Sequence, residues 1–165
     1  IRVVNEKIPL GTGGAVKNAL NKLKFSSDFF VVNGDTIAEI KFDKFSEFCN
    51  LHSTHSIYCL FKKNAGEYGS IEFDKNSNII KFNEKQNLEK NIWVNSGLYF
   101  FPKEHNKYFK KFPNEFSLEK YFFPKLIEDK INLKAFSSIG SFIDIGTPSR
   151  LNKFRKDKEF WKMKS

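Results

Sequence analysis

A chain of 165 residues with 40% hydrophobic residues is long enough to bury a core and fits a single domain. Its formal charge of +9 favours anionic partners such as nucleotides, sugar phosphates or nucleic acid, although charge alone fits a solvated basic surface equally well. The two cysteines, Cys49 and Cys59, exclude a disulfide framework and fit a reducing cytoplasm; neither a signal peptide nor a membrane-spanning apolar run is visible.

Apolar patterning along the chain predicts strands that alternate with helices. In chain order these are the strand Ile1–Val4, the helix Ala15–Leu23, the strand Phe29–Val32, the helix Phe42–His52, the strands Ser56–Phe61, Ser70–Phe73, Ile79–Glu84 and Trp93–Phe101, the helices Lys103–Phe109 and Leu118–Ile127, the strands Leu133–Phe136 and Ser141–Ile145, and the helix Thr147–Phe160. Thr147 is the expected N-cap of the last helix, with Pro148 at its first position.

This order predicts one α/β domain over residues 1–165 with a largely parallel sheet. The polar loop at 74–78 lies between two predicted strands and predicts a β-hairpin, which adds an antiparallel part. The chain begins at Ile1 inside an apolar run rather than with an initiator methionine, so we expect the N-terminus of a longer protein to be absent.

A glycine-rich loop, Leu10–Gly14, precedes the first predicted helix. Its glycines allow positive φ angles and let a ligand approach without meeting a Cβ atom. A helix that starts there directs free N–H groups and the positive end of its dipole towards a ligand, which suits a nucleotide or another anion. The alternative is a turn that simply starts a helix, because Val16 occupies the third glycine position of G-x-G-x-x-G and no P-loop is present.

Two carboxylates lie at or in predicted strands. Asp35 follows the apolar run Phe29–Val32, and ligands of open α/β sheets bind beyond the carboxyl ends of strands. Asp144 lies between apolar residues, where a carboxylate needs a partner or a metal. Carboxylate oxygens suit Mg²⁺, which makes both residues candidate metal ligands. An ordinary Asn-Gly-Asp turn is the alternative for Asp35.

Two further patterns favour structural explanations. Cys49, His52, His55 and Cys59 have a spacing that resembles a zinc site, but core cysteines and surface histidines are the favoured interpretation. The basic segment 153–158 fits the solvated face of an amphipathic helix, so nucleic acid is not the expected partner.

Six short motifs, taken in order, resemble the sugar-phosphate nucleotidylyltransferases, in their short single-domain form. They are Glu6 with Pro9–Ala15, Val32–Asp35, Tyr68–Gly69, Phe82–Lys85, Val94–Tyr99 and Asp144–Pro148. The resemblance covers nearly the whole chain and is strongest to the heptose 1-phosphate guanylyltransferases of bacterial surface-polysaccharide synthesis. It implies a Rossmann-like mixed, mainly parallel sheet with flanking helices and a β-hairpin insertion.

The resemblance also implies a reaction and a set of site residues. The reaction transfers a nucleoside monophosphate from an NTP, with GTP favoured, to a sugar 1-phosphate and releases pyrophosphate. The implied nucleotide-binding residues are Leu10, Gly11, Thr12, Gly13, Gly14, Gly34 and Asp35, the Mg²⁺ ligands are Asp35 and Asp144, and the sugar-phosphate residues are Gly69, Glu84, Lys85 and Asn95. Lys85 would face the phosphate and act in catalysis together with the two aspartates.

One departure from the family pattern limits these expectations. Family members open with a strand and a glycine-rich, arginine-containing loop that holds the triphosphate, and this sequence contains no such segment. We therefore expect the 165-residue chain alone not to catalyse transfer at an appreciable rate. A non-catalytic protein of the same fold that binds a nucleotide or a sugar phosphate is the alternative, and a homo-oligomer remains open.

Overall fold

The computed structural model describes residues 1–24, 26–63, 68–83 and 91–156. Within these ranges the strands are β1 (Phe29–Val32), β2 (Thr36–Ala38), β3 (His55–Lys62), β4 (Ser70–Phe73), β5 (Ile79–Asn83), β6 (Ile92–Phe101), β7 (Leu133–Ser138) and β8 (Phe142–Asp144). The α-helices are α1 (Gly11–Leu23), α2 (Phe42–His52), α3 (Phe123–Glu128) and α4 (Pro148–Lys156), with a 3₁₀ helix over Lys103–Lys111 and a π-helical turn over Leu118–Phe122.

The main sheet is organised around β6. Its strand order is β5-β4-β6-β3-β7, and β1 also pairs with β6, while β2 and β8 form a separate two-stranded sheet. Strand β6 runs antiparallel to β1, β3 and β4, and the β4–β5 and β2–β8 pairs are antiparallel as well. Among the ladders of the described strands, only the one between β3 and β7 is parallel. The predicted α/β class, mixed sheet and hairpin are confirmed, but within the described residues the sheet is not mainly parallel.

Phenylalanine-rich layers cover both faces of this sheet. On β3, Ile57 and Cys59 belong to the layer that also contains residues from α1, the 3₁₀ helix and α3, whereas Tyr58 and Leu60 pack with α2 and β8. This alternation follows from the period of two residues in a strand, and it buries β3 on both faces. Each fully buried large side chain contributes about 1.5–3 kcal/mol to folding.

The two cysteines lie on opposite faces of the main sheet. They therefore cannot bind one zinc ion together with His52 and His55. Cys49 packs on the α2 side of the sheet and Cys59 on the opposite side, and both are buried free thiols. Burial raises the pKa of Cys49 to about 12 and raises the pKa of Cys59 as well, so both stay protonated at neutral pH.

Several predicted elements need correction. Ile1–Val4 is not a strand: Ile1 and Val3 are exposed, and no described strand pairs with this segment. Helix α1 begins at Gly11, four residues earlier than predicted, and β2 was not predicted because the Asn33–Thr36 turn signal overlaps its start. The predicted last residue of the strand Ile79–Glu84 and the predicted last residue of the helix Thr147–Phe160 lie outside the described residues.

The start and the exposed face of α4 confirm their predicted signals. Thr147 Oγ1 accepts a hydrogen bond from the Arg150 backbone N–H at 3.3 Å, which is the expected N-cap of α4. In α4 Phe154 is buried whereas Lys153 and Arg155 are exposed, as the amphipathic interpretation predicts. Among the helices in the described ranges, none is long and apolar enough to cross a membrane.

Candidate active site

A cavity of about 600 Å³ opens between the small β2–β8 sheet and the β4–β6 region of the main sheet. Residues of five of the six sequence motifs line it, and four of the predicted site residues are among them: Asp35, Gly69, Asn95 and Asp144. They come from four distant parts of the chain, so the fold gathers residues that sequence spacing alone could not relate. A concave site of this size is large enough for a small-molecule ligand.

The two aspartates converge on one glycine. The β2–β8 register places Thr36 opposite Asp144, and the Ile145 backbone N–H donates to the Asp35 carbonyl oxygen at 2.8 Å. A Cβ atom built on Gly146 would lie 2.7 Å from Asp35 Oδ2 and 3.2 Å from Asp144 Oδ1. Both carboxylates therefore border the same point of the backbone, and the absence of a side chain at Gly146 makes room for them.

This pair suits a hard divalent cation. Asp35 is exposed and Asp144 is half-buried, so an ion could reach both carboxylates from the cavity that they line. Mg²⁺ takes oxygen ligands and usually keeps several waters, so one or two carboxylates beside a phosphate ligand are a sufficient protein contribution. Within the described part of the chain, no third His, Cys, Asp or Glu completes a metal-binding group.

Arg150 is a site residue that the sequence reasoning missed. Its Nη1 forms an ion pair with Asp144 Oδ2, while Asp144 Oδ1 accepts the Gly146 backbone N–H at 2.8 Å. The Arg150 guanidinium carbon also lies 5.7 Å from the centre of the Tyr68 ring, which lines the cavity. The sequence did indicate where Arg150 lies: it follows the predicted N-cap Thr147 by three residues, which places it in the first turn of α4.

A second cation reaches the same tyrosine. Lys62 Nζ lies 4.7 Å from the centre of the Tyr68 ring and donates a hydrogen bond to the Phe142 carbonyl oxygen at 3.0 Å. Contacts of this kind are worth about 0.5–1 kcal/mol at exposed sites. Two positive charges thus flank one wall of the cavity, where they would attract a phosphorylated ligand.

Two other residues that line the cavity, Asn95 and Glu119, are linked by hydrogen bonds through the buried Tyr99. Asn95 Nδ2 donates to Tyr99 Oη at 2.7 Å, and the Tyr99 hydroxyl donates to Glu119 Oε1 at 2.7 Å. Burial first, and the neighbouring Glu119 carboxylate second, raise the pKa of Tyr99 well above its ordinary value. The hydroxyl therefore keeps its proton at neutral pH, and Glu119 joins the site although the sequence analysis did not single it out.

The glycine-rich loop differs from its prediction. The backbone N–H groups of Gly13 and Gly14 donate to the Phe116 carbonyl oxygen at 2.9 and 3.1 Å, so these two groups are not free for a ligand. A Cβ atom on Gly13 would lie 2.2 Å from the Phe116 ring, and one on Gly14 would lie 2.3 Å from the Asn114 carbonyl oxygen. Close packing of α1 against the 112–118 segment is thus what requires these two glycines.

The other loop residues have mixed outcomes. Gly11 has the predicted positive φ of 72°, and Leu10 donates its backbone N–H to Glu6 Oε2 at 3.1 Å. Thr12 Oγ1 donates to Glu119 Oε2 at 2.7 Å and accepts the Leu118 backbone N–H at 2.9 Å. Of the described residues, those of 10–14 are not among the ones that line the cavity, and their contact with a nucleotide stays a prediction.

The remaining predicted residues are Gly34, Glu84 and Lys85. Gly34 faces open space, with nothing within 4 Å of a built Cβ atom. Glu84 and Lys85 lie outside the described residues, but the two residues before them, Phe82 and Asn83, line the cavity.

Known proteins are similar to this chain along most of its length. The nucleotidyl transferase family model matches residues 1–159. D-glycero-alpha-D-manno-heptose 1-phosphate guanylyltransferase of Campylobacter jejuni is 33% identical over 150 residues, which are 87% of this chain and 61% of that protein. Mannose-1-phosphate guanyltransferase of Saccharomyces cerevisiae is 35% identical over 147 residues, which are 87% of this chain and 40% of that protein.

A solved structure agrees with these relatives. The crystal structure of HddC from Yersinia pseudotuberculosis complexed with GMP-PN is similar with a TM-score of 0.73 and 35% identity, over 91% of this chain and 63% of that chain. The chain therefore spans less than two thirds of the length of each of these three proteins. Since the family model matches nearly all of its residues, the chain belongs to the nucleotidyl transferase family.

Proposed function

We propose that this protein transfers GMP from GTP to a sugar 1-phosphate and releases pyrophosphate, with a heptose 1-phosphate as the favoured acceptor. The observation that carries the proposal is the convergence of Asp35 and Asp144 on Gly146 at the edge of a cavity lined by Asn95 and Gly69. Two carboxylates beside a cavity, with two cations against its Tyr68 wall, fit a metal-assisted reaction of phosphates.

The chemistry asks for positioning and charge stabilisation rather than for a protein nucleophile. An oxygen of the sugar 1-phosphate attacks the α-phosphorus of the nucleotide in line with the departing pyrophosphate. Mg²⁺ held by Asp35 and Asp144 would neutralise negative charge on the phosphate oxygens during this displacement. Asn95 and Gly69 would hold the sugar phosphate, with Glu84 and Lys85 next to them in the chain, and Lys85 would face the phosphate with its positive charge.

The choice of guanine and of the acceptor rests on the relatives. Two of them are named as guanylyltransferases or guanyltransferases of heptose 1-phosphate or mannose 1-phosphate, and HddC is described with GMP-PN. We extend this to the synthesis of precursors for a bacterial surface polysaccharide. We place the reaction in the cytoplasm, which the free thiols Cys49 and Cys59 support.

The test is pyrophosphate release by the complete encoded protein from GTP together with heptose 1-phosphate or mannose 1-phosphate. Asp35→Asn should lower the rate at least about 100-fold, because it removes a charge that holds the metal. Asp43→Asn is the matched control, since Asp43 is an exposed residue of the first turn of α2 and does not line the cavity.

Three outcomes would count against the proposal. Full activity of Asp35→Asn would contradict the metal site, and a preference for CTP, UTP or dTTP over GTP would contradict guanylyl transfer. Tight binding of both substrates without pyrophosphate release would favour the alternative, a non-catalytic binding protein of the same fold.

A further inference from the structure

Glu119 connects the first turn of α1 with the wall of the cavity. Its Oε1 accepts the Tyr99 hydroxyl at 2.7 Å, and its Oε2 accepts the hydroxyls of Thr12 at 2.7 Å and Ser117 at 2.6 Å. Tyr99 in turn accepts from Asn95, which lines the cavity as Glu119 itself does. One carboxylate therefore holds together segments that are more than 100 residues apart in sequence.

The direction of each hydrogen bond in this series is fixed. The backbone N–H of Gly97 donates to Asn95 Oδ1 at 2.9 Å, and a backbone N–H can only donate, so the Asn95 amide must turn its Nδ2 towards Tyr99. Tyr99 Oη accepts that bond and must send its own hydrogen elsewhere. An ionised carboxylate only accepts, so Glu119 is the partner that completes the series.

The second oxygen of Glu119 is equally committed. Thr12 Oγ1 accepts the Leu118 backbone N–H, and Ser117 Oγ accepts those of Glu119 and Lys120, so both hydroxyl hydrogens are directed to Glu119 Oε2. An amide at this position has one oxygen rather than two. If that oxygen stays with Thr12 and Ser117, the amide NH₂ faces Tyr99, and the Tyr99 hydroxyl hydrogen loses its acceptor.

We propose that Glu119 is a positioning residue for the sugar 1-phosphate, because through Tyr99 it fixes the Asn95 amide at the cavity wall. The inference rests on the proposed function, in which Asn95 holds the sugar phosphate. With one Nδ2 hydrogen directed to Tyr99, the amide presents its other hydrogen in a single orientation. A preset donor binds a ligand without the entropic cost of ordering it.

The experiment measures the Kd of heptose 1-phosphate by isothermal titration calorimetry, in the presence of Mg²⁺, for the complete encoded protein and its variants. Mannose 1-phosphate is the second probe. Glu119→Gln should weaken binding about tenfold, in line with the loss of one hydrogen bond to a charged group. Glu115→Gln is the matched control, since it makes the same change at an exposed glutamate four residues earlier and should leave the Kd unchanged.

A double-mutant cycle separates positioning from general support of the fold. If Glu119 acts through Asn95, the effect of Glu119→Gln disappears when Asn95 is already alanine. Should Glu119→Gln not fold, Tyr99→Phe removes only the hydroxyl that links the two residues, and the same tenfold loss is expected.

The outcomes distinguish the inference from the function on which it rests. A wild-type protein that binds neither sugar phosphate refutes both. A wild type that binds, with Glu119→Gln binding equally well, refutes the positioning role alone. An effect of Glu119→Gln that persists at full size in the Asn95→Ala background also refutes it.

Discussion

Gly13 is a position where helix propensity and packing predict opposite effects of an alanine. Gly13 lies inside α1, where replacing glycine by alanine normally stabilises a helix by about 0.5–1 kcal/mol. In this structure a Cβ atom would lie 2.2, 2.4 and 2.8 Å from three atoms of the Phe116 ring. Distances this short require the ring or the helix to move.

The ring has little room to move away. Phe116 is 4% exposed, and its ring stacks on Phe112 with centroids 4.9 Å apart and lies 6.5 Å from the Phe109 centroid. Forcing an extra methyl group into a packed core costs about 1–3 kcal/mol, which exceeds the propensity gain. Gly13→Ala should therefore lower the free energy of unfolding by about 1–2 kcal/mol.

Thermal unfolding followed by circular dichroism measures this effect. For a chain of this length the loss corresponds to a fall in Tm of about 2–8 °C. Gly34→Ala is the control, because a Cβ atom there meets nothing within 4 Å. Phe116→Leu in the Gly13→Ala background should recover part of the lost stability. A Gly13→Ala protein that is as stable as the wild type would refute the packing role of this glycine.

Two further predictions concern charges. Arg150→Gln should tighten Mn²⁺ binding about two- to fivefold, because it frees the Asp144 carboxylate from its ion pair. The two side chains of this pair are only 26% and 30% exposed, so solvent screens it incompletely. Weaker Mn²⁺ binding by Arg150→Gln in a titration would contradict this. Burial, and then the neighbouring His105, lower the pKa of His55 from 6.5 to about 3. Between these two pH values the folded state binds fewer protons than the unfolded state. The free energy of unfolding therefore falls as the pH drops from 6.5 towards 3, by up to about 1.4 kcal/mol per pH unit. His55→Phe should flatten this slope in urea unfolding at several pH values, and an unchanged slope would show that other groups cause it.

Local patterning was sufficient for most of the secondary structure. The apolar run Phe29–Val32, the helical stripe Phe42–His52 and the strand Ser70–Phe73 have the predicted bounds, because each follows from the period of the side chains within one segment. Strand directions could not be predicted in this way. They depend on β6, whose antiparallel pairing with three strands is a property of the whole topology.

The candidate site, like the fold, could be predicted from the sequence only where the pattern is local. Asp35 and Asp144 stand out in the sequence as carboxylates beside apolar runs, but their common approach to Gly146 depends on the β2–β8 pairing. Glu119 gives no local signal, because its partners Thr12 and Tyr99 are distant in the chain. The packing of Gly13 and Gly14 gave no local signal for the same reason, since their contacts lie in the 112–118 segment.

The central claim is that Asp35 and Asp144 bind one divalent cation together. Mn²⁺ titration of the wild type, of Asp35→Asn, of Asp144→Asn and of the double variant tests it most directly, with Asp43→Asn as the control. Each single variant should weaken binding at least about tenfold, and the double variant should lose much less than the product of the two, because both carboxylates act on the same ion. Wild-type affinity in either single variant, or two losses that multiply as for independent sites, would contradict the claim.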